Sequence, residues 1–207
     1  NSWDHGIPGV EFWKEALRVA KPGAFLLAFG GTRTFHRLMV AIEDAGWEIR
    51  DTIMWVYSQG FPKGKMLKPA WEPIIVARKA GSSTMNIDKC RVPSEDIIIN
   101  KLEKWSGFGE VRNPKYESEI NTKGRWPANL IHDGSDEVTQ LFPNNAQRFF
   151  YCAKANKEDR NDGLDSKDII IDVDKSRRPT EIHNNMGANN HPTVKPTELM
   201  RYLCKLV

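Results

Sequence analysis

The hexapeptide His191-Pro192-Thr193-Val194-Lys195-Pro196 sets a hydroxyl and a cation on a backbone that two prolines restrict, an arrangement suited to an anionic ligand. Read by itself, it is first a rigid lead into a helix. Gly30-Gly31-Thr32-Arg33 puts flexible backbone and a guanidinium at a helix N-terminus, where an anion is welcome, although a plain turn has the same composition. The segment from Ser58 to Lys68 (SQGFPKGKMLK) mixes Phe61 with Lys63, Lys65 and Lys68, as in sites that hold phosphates and stack an unpaired base. A solvated loop would look the same. Glu72 follows Pro69-Ala70-Trp71 and precedes an apolar run, as a buried polar anchor or a strand-edge carboxylate. His5, His36, His132, His183 and His191 share no metal-ligand spacing with one another or with Cys90, Cys152 and Cys204, so zinc is not expected.

Positioning these groups requires an α/β framework. Phe12, Trp13, Ala16, Leu17 and Ala20 recur at helical spacing, and Lys21-Pro22-Gly23 stops the helix. Ala24 to Phe29 (AFLLAF) is a short continuous apolar run, as expected of a strand covered on both faces. Thr32 is the expected N-cap of a second helix, with Phe35, Leu38, Met39 and Ile42 on one stripe and Gly46 as its C′ glycine. In a second strand Trp47, Ile49, Ile53, Trp55 and Tyr57 alternate with more polar neighbours, and Pro73 to Lys79 is a third. The close succession of these two predicts an antiparallel pair at a sheet edge. A last helix starts near Pro196, with Met200, Leu203, Cys204 and Val207 as its apolar stripe. Three strands bury both faces poorly, so half of a sheet is expected to lie elsewhere.

Residues 80 to about 190 lose this order and carry charged stretches from Lys101 to Lys123 and from Asn156 to Arg178. Asn184 to Asn190 has the composition of a mobile linker. A hydrophobic fraction of 40% with 28% charged residues excludes a fibrous or wholly disordered chain. The longest apolar run is six residues against roughly 20 for a membrane span, so no membrane association is expected. A net charge of +3 neither demands nor excludes nucleic acid. Three widely spaced cysteines give no disulfide framework, which predicts a reducing cytoplasm.

Taken together and in order, WDHGIPGVEFWKEALRVAKPGAFLLAFGGTRTFHRL, AGWEIRDTIMWVYSQGFPKG, LKPAWEPIIVARK, GRWPANLIHDG, RFFYCAKA and HPTVKPTELMRYLC resemble a phage-type or restriction-modification-type DNA amino-methyltransferase of the β class. The resemblance implies transfer of a methyl group from S-adenosylmethionine to the N6 of adenine or the N4 of cytosine. It also implies part of a Rossmann-like sheet, about three strands plus helices, with a long inserted target-recognition region. Residues 1–79 would be the catalytic-domain half, 80–190 the recognition region and linker, and 191–207 the cofactor lid and its helix.

By the same resemblance, His191, Pro192, Thr193, Lys195 and Pro196 close over the cofactor, while Arg33, Phe61, Lys63, Lys65, Lys68, Arg125 and Trp126 face double-stranded DNA with a flipped target base. Family members often carry His where Trp71 stands. The family's D-P-P-Y-type tetrapeptide and F-x-G-x-G-type loop are missing, and Asn113-Pro114-Lys115-Tyr116 and Gly107-Phe108-Gly109 imitate them without the strands that should lead in. The expectation is a piece cut at both ends, inactive alone and without a catalytic residue of its own. A restriction endonuclease partner is left open. A non-catalytic nucleic-acid-binding module is the alternative, and a small-molecule methyltransferase is disfavoured by the hundred-residue insertion.

Overall fold

The computed structural model describes residues 6–58, 60, 65–94, 98–102, 116–120, 123–153, 155, 158–159 and 194–207. Their elements are α1 (Val10–Val19), β1 (Phe25–Phe29), α2 (Phe35–Asp44), β2 (Glu48–Val56), β3 (Trp71–Arg78), β4 (Ile98–Leu102), β5 (Tyr116–Ile120), β6 (Leu130–His132), α3 (Asp136–Thr139), β7 (Tyr151–Cys152) and α4 (Thr197–Leu206), with short 3₁₀ turns at Ile87–Cys90 and Pro143–Phe149.

The main sheet has five strands in the order β1-β3-β2-β6-β7, and β4 and β5 form a separate antiparallel ribbon. The three expected strands are present, but the sheet is larger. β6 and β7, from the region without legible order, add to it in parallel beside β2. They are three and two residues long, too short for any alternation to register. The antiparallel pairing of β2 with β3 holds, but neither is an edge: β3 lies between β1 and β2, and β6 covers the far side of β2.

The pleat sorts β3 residues between two cores. Ile75 and Ala77 face α1 and α2 with Trp13, Leu38, Ile42 and Trp47, while Ile74 and Val76 face α4 with Ile53, Trp55, Leu199 and Leu203. A β-bulge decides how β2 meets both. Ile49 pairs with Ala77 and Asp51 with Val76, which leaves Arg50 as the extra residue. Trp47 and Ile49 therefore join the α1/α2 core, whereas Ile53, Trp55 and Tyr57 join the α4 core. One alternating run in sequence serves two faces.

Lys79 closes α1 from a distance, its ammonium donating to the Leu17 and Ala20 carbonyls at 2.8 and 2.9 Å. α2 ends as expected at Gly46, whose φ of 101° only glycine adopts readily; Gly46 N–H donates to Glu43 O and Trp47 N–H to Ile42 O. Its N-cap is Thr34 rather than Thr32, because residues 32–34 form a turn before the helix begins. β1 is covered less than expected: only Ala28 is buried, since β1 is an edge of the sheet. The buried stripe of α4 is Leu199, Tyr202, Leu203 and Leu206, not the one centred on Met200 and Cys204, both of which are exposed. The i, i+3, i+4, i+7 set with Tyr202 buries more apolar surface against the sheet.

Candidate functional site

β1, β2, β6 and β7 run in one direction and β3 against them, so four strands end at one edge of the sheet, where β3 begins. Ligands of open α/β sheets bind outside the carboxyl ends of the strands. This edge gathers Phe29 and Gly30 after β1, Tyr57 and Ser58 after β2, Asp133 after β6, and Trp71 and Glu72 at the start of β3.

Lys195 comes to the same edge just before α4. Its Nζ lies 2.6 Å from Glu72 Oε2, with the two side chains 24% and 14% exposed. It also sits 5.2 Å from the centre of the Phe29 ring and 5.4 Å from that of Trp55. A cation between a carboxylate and two ring faces is held by charge and by the ring quadrupoles together. Register explains the convergence: Trp55 pairs with Glu72 and Phe29 with Ile74, so all three side chains leave the sheet on the α4 face. Trp55 Nε1 is buried with no hydrogen-bond partner. Tyr57 lies beside Trp55, with ring centres 5.1 Å apart and planes tilted by 44°. Burial first, and then the Glu72 charge, push its hydroxyl up to about 12.

The basic segment is anchored at both ends. Ser58 N–H donates to Asp133 Oδ2 at 3.1 Å, and the other carboxylate oxygen accepts from Ser135 N–H and from Ser135 Oγ–H at 2.6 Å. Asp133 is buried, so these bonds satisfy it. Tyr57 N–H donates to Ala70 O. Gly60 faces the Pro69 carbonyl so closely that a Cβ would overlap that oxygen. Lys65 and Lys68 project from this closed base into solvent. Arg33 is exposed at the same edge, where it lines a shallow cavity of about 340 Å³ with His36 and Arg37 at the start of α2.

By their place after β1 and before β3, Arg33, Lys65 and Lys68 fall at the edge that holds Lys195 and Pro196, while Phe61, Lys63, His191, Pro192 and Thr193 lie outside the described residues. Pro196 is fully buried as the N-cap of α4. Arg125 and Trp126 belong elsewhere. They precede β6 at the opposite end of the sheet, where Arg125 bridges Val92 and the Arg91 guanidinium lies 5.5 Å over the Trp126 ring. Arg91 is tied to Asp88 and to Gly124 O, closing the neck from which β4 and β5 depart. Phe29, Trp55 and Asp133 escape a sequence reading, because nothing local marks the strand register that groups them. Among the described residues no three His, Cys, Asp or Glu side chains could hold a metal ion.

The family of DNA methylases designated N6_N4_Mtase matches residues 9–207. The Type II methyltransferase M.SfiI of Streptomyces fimbriatus is 29% identical over 84 residues, which are 38% of this chain and 20% of that protein. The chain therefore matches about a fifth of that relative's length. Among solved structures, a complex of M1.HpyAVI with SAM is similar over 37% of this chain and 42% of that one, at 19% identity and a TM-score of 0.33. Another structure of M1.HpyAVI is similar over 72% and 75%, at 15% identity and the same score.

Proposed function

Because the chain belongs to the N6_N4_Mtase family of DNA methylases, we propose that it forms part of a site-specific enzyme that moves a methyl group from S-adenosylmethionine to the N6 of adenine or the N4 of cytosine in DNA. The observation that carries this reading is the docking of Lys195 on Glu72, between Phe29 and Trp55, at the carboxyl ends of the strands. It sets Lys195 and Pro196 at the part of an α/β sheet where ligands bind, which supports a lid role for the element they end.

The residues fit the cofactor. Glu72 and the faces of Phe29 and Trp55 are taken up by the Lys195 ammonium, so they serve as the seat of the lid element, and the partnerless Trp55 N–H is the donor left at this edge. When bound, S-adenosylmethionine supplies the methyl group as a sulfonium carbon. Lys195 and Glu72 hold the lid element to the sheet, Phe29 and Trp55 form an apolar wall that excludes water, and Pro196 fixes the direction in which the element meets α4. His191, Pro192 and Thr193 complete that lid. Arg33, Lys65 and Lys68 meet the backbone of DNA whose target nucleotide has been turned out of the stack, and Phe61 and Lys63 face that DNA near the flipped base.

The recognition region lies within residues 80–190, in the excursion that leaves at Val92 and returns at Arg125 and carries β4 and β5. Residues 1–79 and 191–207 are the catalytic half and the lid. A restriction endonuclease as genetic companion fits the Type II designation of the relative M.SfiI, and a cytoplasmic location belongs to the same reading. The D-P-P-Y-type and F-x-G-x-G-type segments are not among these 207 residues.

The test is methyl transfer from radiolabelled S-adenosylmethionine to DNA, followed by mass spectrometry of the nucleosides. Protein expressed with its flanking coding sequence is expected to yield N6-methyladenine or N4-methylcytosine, and the 207-residue chain alone to yield neither. No methylated base from the longer protein would overturn the assignment.

A further inference from the structure

Between Lys65 and Lys68, Met66 and Leu67 stand in solvent at 64% and 93% exposure. Both precede β3 at the edge that carries Lys195 and Glu72. An unbranched and a branched apolar side chain held out of the core gain nothing from folding, and a cation on either side keeps them wet. The base of their loop is fixed, by Asp133 on Ser58, by Tyr57 on Ala70 and by the close approach of Gly60 to Pro69. An exposed apolar pair between lysines, next to a base held by hydrogen bonds, matches one partner, stacked bases inside a double row of phosphates. Apolar wedges of this kind enter between base steps and unstack them while flanking cations grip the backbone.

Resting on the methylase reading above, we propose that Met66 and Leu67 form a wedge that enters the DNA stack beside the target nucleotide, with Leu67 as its point and Lys65 and Lys68 as its phosphate grips. The wedge fills the space that the departing base leaves, so its contribution is made only when a paired base must be displaced. Of the other exposed apolar side chains, Phe12, Val19 and Val40 lie on the outer helices, and Trp126 is at the opposite end of the sheet.

The test uses the full-length protein and the duplex it methylates, whose sequence is read from methylated DNA of expressing cells. Methylation and binding are compared for Leu67→Ala on the fully paired duplex and on one with a mismatch opposite the target, where displacement costs less. At 93% exposure Leu67 can be truncated without harm to the fold. Leu67→Ala is expected to lose about tenfold to a hundredfold on the paired duplex and to recover most of it on the mismatched one. Leu67→Met, which keeps apolar volume, is expected to stay within about threefold of the parent. Equal losses on both duplexes, or none on either, would overturn the wedge while the unaltered protein still methylates. A fall in oligomeric mass caused by Leu67→Ala, with methylation unchanged, would assign the tip to a second copy of the chain. No methylation by the unaltered protein would overturn the methylase reading, and the wedge with it.

Discussion

Lys195 and Glu72 meet at 2.6 Å although one precedes the last helix and the other opens the third strand. Their contact, walled by Phe29 and Trp55, ties the end of the chain to the carboxyl edge of the sheet. A partly buried pair of this kind is costly to break from one side only, because the survivor keeps its charge without its partner.

A double-mutant cycle measures that cost. Glu72→Gln and Lys195→Met are each expected to destabilise the protein in urea unfolding. The double variant should be less destabilised than the sum of the two, with a coupling of about 1–3 kcal/mol. Additive effects would mean that the two charges do not depend on each other.

Arg50 is the extra residue of the β2 bulge, and its deletion should restore a regular ladder. Either Trp47 and Ile49 or Ile53 and Trp55 must then turn to the wrong face. Each misplaced large side chain forfeits about 1.5–3 kcal/mol of burial, so deletion is expected to abolish cooperative unfolding followed by circular dichroism. Arg50→Ala keeps the residue count and should stay within about 0.5 kcal/mol of the parent.

Tyr202 stacks on Tyr151 with ring centres 3.9 Å apart and planes 11° from parallel. Burial, and then the neighbouring Cys90 and Tyr151, push the Tyr202 hydroxyl up from 10.0 to about 12. Below pH 10 the phenol is neutral whether the chain is folded or not, and the stabilisation is fully present. Between pH 10 and 12 the unfolded chain releases a proton that the folded one keeps, so stability falls as pH rises. Tyr57 follows the same course. Ultraviolet titration of the folded protein should show two tyrosines ionising near pH 12, and Tyr202→Phe should flatten the loss of stability above pH 10. Ionisation of all tyrosines near pH 10 in the folded state would contradict both environments.

Short-range physics is legible in the sequence. The apolar run of β1, the stripe of α2, the glycine after α2 and the proline before α4 each depend on neighbours a few residues away, and each is where its local chemistry puts it. Phe12, expected on the stripe of α1, is instead 60% exposed beside the buried Trp13. The motif order from Trp3 to Cys204 was enough to indicate the family. Lys195, Arg33, Lys65 and Lys68 are singled out by the family resemblance, since type and spacing alone leave a helix lead, a turn and a solvated loop as equal or better readings. The fold adds the seat of Lys195 on Glu72.

Pairing between distant segments decided the rest. Whether Trp47 and Trp55 share a face depends on one bulged residue that leaves the alternation untouched. Two short strands entered the sheet because β2 offered them an edge, and their own residues carry no period long enough to announce it. The stripe of α4 slid by one position because Tyr202 stacks on Tyr151, a partner on another strand. Glu72 became the seat of Lys195 through register with Trp55, and Arg125 and Trp126 moved to the far end with the neck of the ribbon. Side-chain type is a property of one residue and periodicity of a few, but a shared face exists only after non-local strands have paired.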